Sequence, residues 1–115
     1  MNFIKGSMTN EGFRTADGLV LSSERRPPGA VTYGIRPEHI TLDPDGIEVT
    51  TAVVEPTGSE TLVIARLGTQ TISCVFRERI RAAPGDVLRI APLHDAVHLF
   101  DEDEQRITAG EPVLN

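Results

Sequence analysis

Hydrophobic and polar positions alternate in short bursts along this chain, and no burst has the length or the period of an amphipathic helix. The clearest runs from Ile47 to Glu55. Ile47, Val49, Thr51 and Val53 fall on one face and Glu48, Thr50, Ala52 and Val54 on the other, a period of two that predicts a strand. Thr61 to Leu67 is apolar on both faces apart from Arg66, so it is expected to be buried on both sides or strongly curved. Over Thr69 to Arg77, Ile72, Cys74 and Phe76 share a face opposite Thr71, Ser73, Val75 and Arg77. Shorter strand signals lie at Phe3-Ile4, Gly12 to Arg14, Leu19 to Leu21, Val31 to Ile35, Ile40 to Leu42, Val87 to Ala91 and Ala96 to Phe100.

Glycine and proline punctuate these runs. Asp17-Gly18 between two extended stretches predicts a hairpin, since both residues tolerate a positive φ. Asp43-Pro44-Asp45-Gly46, Gly68-Thr69 and Pro84-Gly85-Asp86 predict further turns, and Pro56 to Glu60 and Pro92 to Asp95 predict loops. Ser22 to Ala30 reads as a polar loop, and the arginine-rich Arg77 to Ala83 has room for a turn of helix. The acidic run Asp101-Glu102-Asp103-Glu104 opens a solvated tail. The chain divides into N-terminal strands and a linker over residues 1–30, a barrel over 31–107, and a mobile tail over 108–115. Short strands every 8 to 12 residues with Gly/Pro turns predict an all-β fold, and for a chain this short a small, partly open Greek-key barrel of the OB type.

Composition narrows the function. The chain has 115 residues, 17 of them acidic against 11 basic, for a net charge of −6. That sign argues against a nucleic-acid partner, because phosphate-backbone affinity rests on Lys and Arg. No apolar run approaches the roughly 18 residues of a membrane helix, and a single cysteine, Cys74, rules out an internal disulfide and suits a reducing compartment. There is no Gly-rich phosphate loop, no Gly-x-Ser-x-Gly elbow and no cysteine pair for zinc. His94 and His98 are four apart, but in an extended chain that spacing is too long for one metal. Cys74, mid-strand on an apolar face, reads as buried and inert.

Polar chemistry concentrates at one corner. Val31 to Ile35 leads into Arg36-Pro37-Glu38-His39-Ile40, where Pro37 suits a first helical position and Glu38 a helix N-terminus. Strand, one turn of helix, then strand again is the expectation. Arg36 and Glu38 are placed to pair across the turn or across a two-fold interface, and His39 either switches with protonation or satisfies hydrogen bonds at the corner. Gly58-Ser59-Glu60 sets a flexible glycine, a hydroxyl and a carboxylate between two strands, a loop suited to contacting a partner. Arg77, Arg79 and Arg81 form the one basic cluster open to a small oxyanion.

Four stretches resemble a known family. Gly34-Ile35-Arg36-Pro37-Glu38-His39, Val54-Glu55-Pro56-Thr57-Gly58-Ser59-Glu60-Thr61, Pro84-Gly85-Asp86 and His98-Leu99-Phe100-Asp101 occur in one order and with similar spacing. They resemble the C-terminal TOBE-type domain of the ATP-binding subunits of ABC importers for carbohydrates, the maltose and glycerol-3-phosphate group. The resemblance spans about residues 1–107 and implies an OB-like (TOBE/MOP-type) barrel, and that Met1 lies inside a longer native chain. It further implies a non-catalytic regulatory and dimerisation role, with interaction residues among Arg36, Glu38, His39, Gly58, Ser59, Glu60, His98 and Asp101. ATP and Mg would bind in an upstream domain, with no cofactor here. The implied partners are a second copy, the membrane subunits of the transporter and a regulatory protein, at the cytoplasmic face of the membrane. The tail departs from the family, which continues from Leu-Phe-Asp into a Thr-Gly turn. The alternative class is a stand-alone OB/MOP-type binder of a small oxyanion or single-stranded nucleic acid.

Overall fold

Ten strands build a computed structural model in which residues 1–21 and 26–107 are described. β1 (Asn2–Thr9), β2 (Gly12–Thr15) and β3 (Val20–Leu21) form a meander, and β4 (Thr32–Ile35) returns to lie beside β1. β5 (Ile40–Pro56), β6 (Thr61–Leu67) and β7 (Gln70–Phe76) form a second meander, and β8 (Val87–Pro92) returns beside β5. Each set of four has the order of a Greek key. β9 (His98–Phe100) extends the first sheet from β4, and β10 (Arg106–Ile107) closes its edge. All pairings are antiparallel. The all-β barrel expected from the alternation is the fold, and two 3-10 turns, Pro37–His39 and His94–Ala96, are its helical elements among the described residues.

The inner faces supply one apolar core. Ile4, Phe13, Tyr33, Val63, Cys74 and Leu99 are buried, and the Phe13 and Tyr33 rings meet at a 45° tilt with centroids 5.5 Å apart. A small apolar pocket of about 30 Å³ is lined by Ile4, Tyr33, Ile35, Ile72 and Ile90. Burial pushes the Cys74 thiol up to about 12 and raises the Tyr33 hydroxyl further above its usual range. An inert, buried Cys74 is what the strand pattern predicts.

The two sheets meet at a seam made by side-chain amides. Asn2 Nδ2 donates to the Ser73 carbonyl at 2.8 Å and Asn2 Oδ1 accepts from the Ser73 amide at 2.8 Å, so one side chain completes the pairing a neighbouring strand would make. Gln70 Oε1 accepts from the Lys5 amide at 3.1 Å a few residues along. Across the same seam, Asp17 Oδ2 accepts from the Thr69 amide at 2.7 Å, which ties the Asp17-Gly18 turn to the Gly68-Thr69 turn. β1 and β7 are thereby joined without a ladder of backbone bonds.

Several local expectations change. Asp43-Pro44-Asp45-Gly46 has its turn chemistry, with the Asp45 amide donating to Asp43 Oδ1 at 2.8 Å, but the chain does not reverse there. The four residues bulge out of β5, and Leu42 and Ile47 on either side both face Ile90 of β8. Pro44 sits where no ladder bond is needed. A second bulge at Ala52 moves β5 from Thr51↔Ala65 to Val53↔Ile64. It breaks the predicted alternation: Val53 turns outward, and Val54 joins Val63 instead. Arg77 to Ala83 holds no helix. That segment must cross from the far edge, β7, to β8, and it runs as a loop pinned where Thr61 Oγ1 donates to the Glu78 carbonyl and where the single Thr51 hydroxyl proton is shared between the Ala83 and Asp86 carbonyls. The predicted strand from Ala96 starts at His98, because the chain first makes the 3-10 turn His94–Ala96. Residues 22–25 of the predicted Ser22–Ala30 loop, Arg25 included, and the predicted tail over 108–115 lie outside the described residues.

Candidate interaction site

The corner after β4 forms as its sequence dictates. Arg36 has φ −75° and ψ 147°, the extended geometry imposed on a residue before proline, and Pro37 starts the 3-10 turn. The His39 amide donates to the Arg36 carbonyl at 3.0 Å, and the His39 carbonyl accepts from the Leu93 amide at 2.9 Å, which fastens the corner to the end of β8. The turn packs against β7. The expectation that the His39 ring would satisfy hydrogen bonds here does not hold for one of its atoms. Nδ1 is buried and has no hydrogen-bond partner, because the corner is held by backbone groups and the ring is surplus to them. Arg36 and Glu38 are both exposed and form no ion pair with each other.

His98 comes to this corner from the other end of the chain. It pairs in register with Gly34, two residues before Arg36. Its pKa lies below the usual histidine value, first through burial and then through the like charges of Arg106, Arg36 and His39. Arg36, His39 and His98 are therefore within electrostatic reach of one another, with Arg106 beside them.

The remaining sequence-picked residues sit elsewhere. Gly58 and Ser59 form the exposed tip of the β5–β6 hairpin, with Gly58 at φ +83° and the Thr57 amide bonded to the Glu60 carbonyl at 2.8 Å. Glu60 faces Arg77 at 3.8 Å, a surface pair that stabilises by under about 1 kcal/mol. Asp101 is a turn residue. Its Oδ1 accepts from the amides of Asp103 and Gln105 at 2.9 Å each, and its amide donates to the Gln105 carbonyl at 3.0 Å. The acidic run is therefore not the start of a tail but the turn between β9 and β10, with Glu104 at φ 61° in the place glycine would favour. The basic cluster Arg77, Arg79 and Arg81 is exposed along an extended loop, and Arg77 is turned toward Glu60. Among the described residues no group of three or more His, Cys, Asp or Glu converges as a metal site, and the His94 side chain lies outside them.

Sequence reasoning missed Phe3, Lys5, Phe100 and Arg106. They lie on the outer face of the first sheet beside His98, and only the pairing of β1, β4, β9 and β10 brings them together. The signal present was two aromatic residues in strands whose other phase is the core, at Phe3-Ile4 and Leu99-Phe100.

Comparison with known proteins places this barrel. The TOBE domain profile matches residues 33–100, and the MalK OB fold domain profile matches residues 1–40. An uncharacterized ABC transporter ATP-binding protein, y4oS, of Sinorhizobium fredii is 35% identical over 117 residues, covering 96% of this chain and 32% of that protein. The sn-glycerol-3-phosphate import ATP-binding protein UgpC of Bordetella avium is 34% identical over 122 residues, covering 96% of this chain and 34% of UgpC. The sulfoquinovosyl glycerol transport ATP-binding protein SmoE of Agrobacterium fabrum is 32% identical over 118 residues, covering 92% and 33%. The chain spans about a third of the length of the curated relatives it matches. With nearly every residue of two linked Greek keys inside those matches, the chain belongs to the TOBE and MalK-type OB-fold domain family carried by ATP-binding proteins of ABC importers.

Proposed function

We propose that this chain is the regulatory and dimerisation domain of the ATP-binding subunit of an ABC importer for sugars or glycerol-3-phosphate-like solutes. The observation that carries the reading is the match to UgpC and SmoE over nearly the whole chain. ATP and Mg belong to another part of such a subunit, and this domain works by contact. It serves at the cytoplasmic face of the membrane, where a subunit of this kind meets its membrane partners. Val53 and Val87 stay exposed on the second sheet, at 43% and 57%, and they are apolar positions that a two-fold contact would cover on both copies. Arg36, Glu38, Gly58 and Ser59 are exposed and open to partners.

Sedimentation equilibrium of the purified chain, run with and without Mg-ATP, tests this. A reversible monomer–dimer equilibrium that Val87→Glu weakens, with no ATP hydrolysis, is the expected result. A monomer at all concentrations removes the dimerisation role, and hydrolysis of ATP by this chain removes the whole reading.

A further inference from the structure

The outer face of the second sheet is apolar where an antiparallel sheet commonly meets water. β6 is apolar on both faces apart from Arg66, and the core takes only Thr61, Val63, Ala65 and Leu67. The other phase points outward. Register sets Ile64 between Val53 of β5 and Ser73 of β7, and Leu62 between Glu55 and Val75. Leu62, Ile64 and Val75 are half-buried and Val53 is exposed. Beyond them Thr50 lies between Arg66 and the exposed Val87. The loop from β7 to β8 runs on the other side of the sheet, since it is pinned to Thr61 and Thr51 of the buried phase. β1 and the Pro37–His39 turn meet this sheet at β7, its edge strand.

Most charges on this face are matched within the chain. Arg89 Nη2 meets Glu48 Oε1 at 2.6 Å, and Arg77 meets Glu60 at 3.8 Å. At the margins, Asp17 has Oδ2 on the Thr69 amide, Asp43 and Asp45 sit in the bulge beyond Glu48, and Glu38 stands on the turn beside β7. Glu55 and Arg66 remain. Both are exposed, and among the described residues neither forms an ion pair. Glu55 faces Leu62, and Arg66 follows four residues along β6, about 13 Å away, too far for the two to pair in one chain. The face thus has a carboxylate at one end, a guanidinium at the other and apolar side chains between. A uniformly acidic or basic partner would be drawn to one end and repelled by the other. A two-fold axis lying along the face and across the strands reverses strand direction, so it brings Glu55 of each copy to Arg66 of the other.

We propose that this face is self-complementary and packs on a second copy of the chain. Val53, Leu62, Ile64 and Val75 form the centre of the contact, and reciprocal Glu55–Arg66 ion pairs close its two ends. The inference deepens the dimerisation half of the function proposed above and rests on it, since the exposed Val53 and Val87 lie on this same face. The apolar centre supplies the affinity and the charged ends set the register. An axis parallel to the strands would instead put Glu55 on Glu55 and Arg66 on Arg66, which like-charge repulsion opposes.

The test is sedimentation equilibrium of the full chain beside its charge reversals. Glu55→Arg sets arginine against Arg66 at both ends of the dimer, and Arg66→Glu sets glutamate against Glu55. Each variant, checked for a native circular dichroism spectrum, is expected to raise the dimer dissociation constant by roughly tenfold or more. Mixed in equal amounts, the two are expected to associate at close to the strength of the unmodified chain, because every pairing is then restored across the interface. Glu102→Arg, in the β9–β10 turn, makes the same change in net charge and is expected to leave the constant within about twofold. Reversals that leave the dimer intact, weakened variants that mixing does not restore, or an equal effect of Glu102→Arg would overturn the assignment of this face while dimerisation itself stands. An unmodified chain that stays monomeric at every concentration would remove the dimerisation reading, and this proposal with it.

Discussion

Gly46 is where one methyl group tests the architecture most severely. A Cβ there would lie 2.2 Å from the Ile90 carbonyl oxygen, 2.6 Å from its carbon and 2.9 Å from its nitrogen, all backbone atoms. No rotamer change relieves that clash, so β5 and β8 must separate. Ile90 faces both Leu42 and Ile47, so the separation strains both ends of the bulge at once. Overpacking costs about 1–3 kcal/mol, and about two weakened ladder bonds add about 1 kcal/mol each. Gly46→Ala is therefore expected to destabilise by about 3–5 kcal/mol, a large part of the roughly 5–15 kcal/mol available to a domain. Gly58→Ala is the matched control: φ is +83° and no atom lies within 4 Å, so only the left-handed backbone is penalised, by about 1–2 kcal/mol. Urea unfolding followed by circular dichroism separates the two, with a midpoint fall for Gly46→Ala at least about twice that of the control at equal slope. Equal midpoints would refute the claim that the bulge is wedged against β8.

Other expectations follow from single contacts. Asn2→Asp keeps the acceptor for the Ser73 amide but sets a carboxylate against the Ser73 carbonyl, and Asn2→Ala leaves both groups unpaired. Each is expected to cost about 1–3 kcal/mol and to speed amide hydrogen exchange at Ser73, while unchanged exchange would rule out the side-chain seam. Glu104→Gly relieves a left-handed residue in the β9–β10 turn and is expected to raise stability by up to about 1 kcal/mol in thermal melts, with a lower melting temperature counting against it. Cys74, with its thiol pushed up to about 12 by burial, is expected to resist alkylation in the native protein at about pH 8 and to react only as fast as the chain unfolds. The sign follows from the raised value: the folded state prefers the neutral thiol. Its contribution is complete below the unfolded value of about 9 and is lost as pH rises toward about 12.

Strand positions were legible where alternation was clean and the partner was next in sequence. Ile72, Cys74 and Phe76 share the buried face that their spacing predicts, and Asp17-Gly18 turns the chain between β2 and β3. The bulge at Asp43 to Gly46 was not legible, because an Asp side chain caps the same local turn whether the chain reverses or resumes. Only the carbonyl of Ile90, far along the sequence, decides between them. Ala52 shows the same limit on a smaller scale: one extra residue against β6 shifts the phase, and nothing in Thr51-Ala52-Val53 marks it. The acidic turn at Asp101 to Gln105 was hidden by its charge, which reads as a solvated tail although Asp101 caps it and Glu104 takes the strained position. At the corner, Arg36 and His39 were visible as a motif, but Phe3, Phe100 and Arg106 join them only through strand order. Local chemistry is written locally. Faces are written by topology.

The claim that this barrel acts by contact with other polypeptides is tested most directly by amide shifts of the ¹⁵N-labelled chain on dilution, followed by addition of Mg-ATP. The account predicts dilution shifts confined to one surface patch that includes Val53 and Val87, and no response to Mg-ATP. Spectra that do not change on dilution but shift on Mg-ATP would contradict it.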